Sequence, residues 1–122
     1  IAELVKDYFE QNAPDYVTVK VTPLHGGQAY GCLIELPAYK AAEAAYMDTY
    51  GKQPIPMRSG GSIPIIARFE AVLGIESILT GFGLGEDALH SPNENYRLDH
   101  FYKGIETIIA FYQHFAKGGN IA

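Results

Sequence analysis

Two short segments carry residue types whose spacing could do chemistry. His90-Ser91-Pro92-Asn93-Glu94 sets a histidine in a polar loop between an apolar, strand-like run, Ile78 to Phe82, and a long amphipathic helix beginning near Leu98. Neutral imidazole is among the commonest metal ligands, and the ends of parallel strands are where open α/β sheets hold their ligands. Pro92 limits how far this loop flexes. A solvated or locally hydrogen-bonded side chain is the other reading of a single loop histidine. The second segment, Arg58-Ser59-Gly60-Gly61-Ser62-Ile63-Pro64, closes a short apolar run, Ile55 to Met57, and opens a helix. Ser62 suits the N-cap and Pro64 the first turn, while Ile65, Ile66, Phe69, Val72 and Leu73 form a helical apolar stripe ending at Gly74. Gly60 and Gly61 would let the backbone approach a ligand closely, and free N–H groups with the helix dipole favour an anion there. Arg58 adds positive charge, either to that anion or to an acidic neighbour. The plainer alternative is a serine-capped, glycine-rich turn with a solvated arginine.

Both segments need elements to position them, and the chain divides into two patterns. Leu4, Val5, Tyr8 and Phe9 have helical spacing; Asn12 to Asp15 reads as a turn. Val17, Val19 and Val21 then alternate with Thr18, Lys20 and Thr22, as in a strand of an antiparallel sheet with one dry and one wet face. Pro23-Leu24-His25-Gly26-Gly27 closes that strand, and a less regular segment runs through Cys32 to Pro37. From Tyr39 the order becomes helix (41–50), strand (55–57), helix (63–73), strand (77–82), helix (98–116). The later strands are continuously apolar, as buried parallel strands are, so this part reads as α/β. The last helix places Phe101, Ile105, Ile108, Ile109, Tyr112 and Phe115 on one side as expected core, with Gly118-Gly119 as its stop.

Composition excludes several functions. Apolar residues at 48% and charged residues at 19% are ordinary for a globular domain and far from the disordered class. A net charge of −5 with no Lys/Arg cluster argues against nucleic acid or an anionic membrane as partner. No transmembrane run is present, and a single cysteine, Cys32, excludes an internal disulfide and has no basic neighbours to make it a reactive thiolate. His100 and His114 fall on the polar side or edge of the last helix, where solvent exposure is expected.

Taken together, the segments resemble the zinc-dependent M20-type peptidases and deacylases, a family that includes carboxypeptidase G2-like enzymes, carnosinase-type cytosolic dipeptidases and acetylornithine deacetylase. The resemblance rests on His25-Gly26-Gly27, Tyr50 to Pro54, Arg58 to Pro64, Gly81 to Leu84, His90 to Glu94 and Gly104 to Glu106, in the family's order and at its approximate spacing. The dipeptidase branch is most similar, through the Gly-Gly-Ser-Ile-Pro turn and Asp87 ahead of the histidine. One departure is Ser59, where the family often carries Glu.

The resemblance implies an α/β fold: the C-terminal part of a doubly wound zinc-hydrolase domain over residues 35–122, preceded over 1–34 by the helix and strand that end an α+β lid and dimerisation domain. It implies that His90 is a metal ligand and that Gly60, Gly61 and Ser62 receive the substrate's terminal carboxylate. Arg58 either strengthens that site or pairs structurally, and His25 either reaches the carboxylate or is a turn histidine. Glu94 and Asp87 flank His90 in supporting roles. Two zinc ions, with manganese or cobalt as alternatives, would be held by a His-x-Asp motif, a bridging Asp, a Glu-Glu pair and a further acidic ligand. None of these lies in the 122 residues, so no catalytic residue is assigned. The chain opens at Ile1, without methionine, directly into a helical pattern, which reads as the C-terminal fragment of an enzyme. Such a fragment is expected to bind metal weakly and to hydrolyse nothing. The full-length enzyme is expected to be a cytoplasmic homodimer acting on dipeptides or N-acyl amino acids with a free C-terminal carboxylate. A degenerate, non-catalytic dimerisation or binding module is the alternative.

Overall fold

The computed structural model describes residues 1–58 and 63–118. They form four α-helices: α1 (Ala2–Gln11), α2 (Pro37–Tyr50), α3 (Pro64–Leu73) and α4 (Leu98–Gly118), with a short 3-10 turn at Gly85–Asp87. Each expected helix is present. α2 begins four residues earlier than its apolar spacing suggests, because Pro37 occupies the first turn, where its missing N–H costs nothing. Pro64 does the same for α3, as expected, but Ile63 takes the N-cap position that Ser62 was expected to fill, and Ser62 itself lies outside the described residues. Gly51 and Gly74 end α2 and α3 in the left-handed conformation, with φ of 64° at both, and their N–H groups reach Met47 O and Glu70 O at 2.9 Å.

The expected strands 17–22, 55–57 and 77–82 are not formed: among the described residues there is no strand. A strand exists only through the hydrogen bonds of a neighbour. The apolar alternation of 17–22 and the continuous apolar run of 77–82 are therefore patterns without a partner here. The doubly wound sheet has no counterpart among the described residues, whose regular elements are helices.

What holds the molecule together is the contact of α2 with α4, the one helix pair that packs among the described residues. It is made by small side chains. Ala41 and Ala45 on α2 and Gly104 and Thr107 on α4 are buried, so the two backbones approach closely. Thr49 Oγ1 and Thr107 Oγ1 lie 2.8 Å apart across the crossing, where one donates to the other, and the hydroxyl that accepts donates to its own helix, to Ala45 O or Lys103 O. The bulky stripe of α4 is not the core: Phe101, Ile105, Ile108, Ile109, Tyr112 and Phe115 are 37–66% exposed. They lie on a face left largely open among the described residues, while the smaller residues beside them make the helix contact.

Segment 77–82 is laid onto this pair. Tyr46 donates to Gly81 O at 2.8 Å, pairs with Thr80 Oγ1 at 2.7 Å and stacks on Phe82. Phe82 in turn sits over Gly104, where an added Cβ would lie 3.0 Å from the ring. Tyr30 clasps Ser77 at both backbone groups, accepting from its N–H and donating to its carbonyl, each at 2.7 Å. The path out of 77–82 thus delivers the chain to the histidine loop from a fixed point.

His114 and His100 differ from the expectation of solvent exposure. Both are half-buried. His114 Nε2 meets Asp48 Oδ2 at 2.7 Å, adding a polar tie between α4 and α2, and His100 lies against the Tyr50 ring.

Candidate functional site

The histidine loop is built from its backbone outward. Among the described residues, three other than glycine adopt the left-handed conformation, all in this loop: Ala88 (φ 54°), His90 (φ 60°) and Asn93 (φ 62°). Asparagine tolerates that region, whereas for Ala and His it costs about 1–2 kcal/mol each. Such a shape persists only when surrounding contacts hold it. Here Ser91 N–H bonds Ala88 O at 2.9 Å, Glu94 N–H bonds Ser91 O at 3.2 Å and Asn95 N–H bonds Asp87 O at 3.0 Å. Asp87 is buried, and its Oδ2 accepts the Leu84 N–H at 2.7 Å. Its Oδ1 is buried without a partner among the described residues.

Arg97, which sequence reasoning did not single out, ties the loop to α4. Its guanidinium forks onto both carboxylate oxygens of Asp99, at 3.0 and 2.7 Å, and reaches Glu86 in the 3-10 turn at 3.5 Å. The hydrogen bonds and charge of Arg97 hold the Asp99 carboxyl down at about 2. The visible signal was an arginine two residues from an aspartate at the mouth of a helix; the link to Glu86 needs the fold.

His90 itself is exposed, and its ring makes no hydrogen bond among the described residues, so both nitrogens are free. An exposed, unpaired imidazole on a constrained backbone fits as one metal ligand. It does not make a site alone: among the described residues no three His, Cys, Asp or Glu side chains converge. Further ligands would have to come from outside these residues. Glu94 and Asp87 make no hydrogen bond to the ring. Asp87 instead fastens the loop, and Glu94 is exposed, contributing its main-chain N–H.

Of the second cluster, Gly60, Gly61 and Ser62 lie outside the described residues. The residues around them are placed. Arg58 and His25 are exposed, and neither takes part in an ion pair among the described residues. The His25-Gly26-Gly27 turn packs directly on the start of α3: a Cβ at Gly27 would overlap the Pro64 ring. Only glycine permits that approach. The two segments, separated by more than thirty residues in sequence, thereby meet at an open groove of about 820 Å³ lined by Gly26, Gly27, Gln28, Pro64, Ile65 and Arg68. Arg68, one turn beyond Pro64, gives this groove a positive charge; the i to i+4 spacing from Pro64 was the signal that could have found it. No hydrogen bond or ion pair among the described residues joins this cluster to His90.

Comparison with known proteins is consistent in its direction. Residues 5–114 match the profile of peptidase family M20/M25/M40. A Cys-Gly metallodipeptidase of Candida albicans is 29% identical over 114 residues, covering 93% of this chain and 23% of the relative. A Cys-Gly metallodipeptidase of Schizosaccharomyces pombe is 38% identical over 73 residues, covering 60% of this chain and 15% of the relative. The Beta-Ala-His dipeptidase of Homo sapiens is 29% identical over 79 residues, covering 65% and 16% respectively. The chain thus spans at most about a quarter of the length of these relatives. No solved structure matches it.

Proposed function

The chain belongs to peptidase family M20/M25/M40, and from that membership we propose that it is part of a metal-dependent dipeptidase acting on dipeptides or N-acyl amino acids with a free C-terminal carboxylate. The observation that carries this reading is the similarity to Cys-Gly metallodipeptidases, which runs over 93% of the chain and includes both chemically competent segments. In the whole protein His90 would serve as one ligand to the metal, which we take to be a pair of zinc ions, with manganese or cobalt able to replace them. The bound metal would polarise the scissile carbonyl and supply a nucleophilic water. This stretch contributes none of the groups that move protons in that step, so the 122 residues alone are expected to be inactive.

Its own residues bind and orient. Gly60, Gly61 and Ser62 would receive the substrate carboxylate at the start of α3, where unpaired N–H groups and the helix dipole favour an anion. Support comes from the neighbours that are placed: the His25 turn seated on Pro64 and the cationic groove beside it. Arg58 and His25 would add charge or a hydrogen bond to that carboxylate. We assign residues 1–34 to the end of a lid and dimerisation domain and 35–122 to the C-terminal part of an α/β zinc-binding domain. The unpaired apolar segments 55–57 and 77–82 would find their sheet partners in the remainder of that domain. A cytoplasmic homodimer is the assembly that this reading entails.

Ser59 favours a second reading, a degenerate member kept for dimerisation or binding. Hydrolysis assays of the full-length protein decide between the two. Turnover of Cys-Gly, β-Ala-His or simple N-acyl amino acids with added Zn²⁺ or Mn²⁺ is expected; background rates on all of them would leave the non-catalytic module.

A further inference from the structure

We propose that Asp87 is the positioning residue of the histidine loop, holding the main chain of residues 84–95 in the shape that presents the His90 imidazole outward. The inference rests on the reading of His90 as a metal ligand, and it separates Asp87 from Glu94, which sequence spacing treats alike.

Asp87 sits where the loop closes at both ends, and of its three bonds there only the one to Leu84 N–H is made by the side chain, so that bond is what the proposal rests on. Its Oδ2 accepts the Leu84 N–H at 2.7 Å while its own N–H donates to Leu84 O at 3.1 Å, so the entry to the turn is locked twice by one residue. Its carbonyl accepts the Asn95 N–H at 3.0 Å, which brings the chain back after His90. Between these points Ala88, His90 and Asn93 all sit at positive φ, a strained path that relaxes if its ends are released. No other residue from 84 to 95 is buried, so no apolar packing holds the loop in Asp87's place. At 3% exposure, the side chain carries a desolvation cost for a carboxylate with only one oxygen paired among the described residues. A buried polar atom of this kind calls for an explanation, and the geometry supplies one: the carboxylate is retained for the main-chain bond it makes. Glu94, by contrast, is exposed and bonds through its backbone N–H alone, a bond any side chain would leave in place.

The test uses the full-length protein with Asp87→Ala, Asp87→Asn and Glu94→Ala, and Thr107→Val at the α2–α4 crossing as a variant destabilised elsewhere. Two readouts are taken: the dissociation constant for Zn²⁺ by chelator competition, and the hydrogen-exchange rates of the Leu84 and Asn95 amides in metal-free protein. Asp87→Ala is expected to weaken zinc binding by about 10-fold or more and to speed exchange of both amides. Asp87→Asn, whose amide oxygen still accepts the Leu84 N–H, is expected to restore most of both, and Glu94→Ala and Thr107→Val to change neither. Unchanged zinc affinity and exchange in Asp87→Ala, or equal losses in Thr107→Val, would overturn the proposal. Should Asp87→Ala not accumulate, Asp87→Ser, too short to reach the Leu84 N–H, is judged by the same criteria. If the wild-type protein binds no zinc, the reading of His90 fails, while the amide exchange still decides whether Asp87 holds the loop.

Discussion

At the scale of single residues, the chemistry gathers where short polar stretches interrupt apolar ones. The Arg97 fork is the clearest electrostatic feature. Its hydrogen bonds and charge lower the Asp99 carboxyl from the usual 3.8 to about 2. A carboxyl depressed in the folded state stabilises it fully above the ordinary value and loses that contribution as pH falls through its own midpoint. The tie between Asp99 and Arg97 should therefore persist through pH 4 and disappear toward pH 2; a carboxyl titration followed by NMR checks this, and a midpoint near 3.8 would contradict the fork. Because both side chains are largely exposed, added salt should narrow the effect. Sequence singled out His90 and the Gly-Gly-Ser segment, since each type has a narrow chemical use, and the roles given to them above are proposals. The link from Arg97 to Glu86 and the reach of Asp87 Oδ2 to the Leu84 N–H were not legible, because they depend on which groups the fold brings together.

The helices of this chain could be read in advance from apolar spacing, and α3 also from Pro64 at its first turn and Gly74 just past its end. Their contacts could not. Apolar spacing on α4 points to Phe101, Ile105 and Ile109 as core, yet the helix meets α2 through Gly104 and Thr107, whose small size lets the backbones close. Ala45, fully buried at 0% exposure, is the tightest point of that contact. Ala45→Leu should force the helices apart and destabilise the protein by about 1–3 kcal/mol, the usual cost of overpacking. Urea unfolding of the full-length protein measures it, and an unchanged midpoint would place the contact elsewhere. The expected strands are absent among the described residues for a related reason. Alternation and apolar runs report how a segment would pack in a sheet, but a strand forms only when another lies alongside.

Across the whole molecule, the described residues bury small side chains and expose large ones. Ala41 and Ala45 are the buried hydrophobic residues, whereas Phe101, Ile109, Tyr112 and others remain open. Apolar surface of that extent marks a contact with something further. Among the described residues, no helix is long and apolar enough to cross a membrane. Under the reading proposed above, the cover is the remainder of a longer hydrolase, since the chain spans 23% of the first relative's length. The isolated 122 residues should then bind a hydrophobic dye and unfold without a sharp transition; a monomer with cooperative two-state unfolding would contradict that expectation. The most direct test of the account is Cys-Gly hydrolysis by the full-length protein and its His90→Ala variant, each assayed after chelation and again after Zn²⁺ is restored. Metal-dependent turnover in the parent, reduced by about 100-fold or more in His90→Ala, is the expected result. Equal metal-dependent rates in both proteins would show that His90 holds no metal, and no turnover in either would remove the peptidase reading itself.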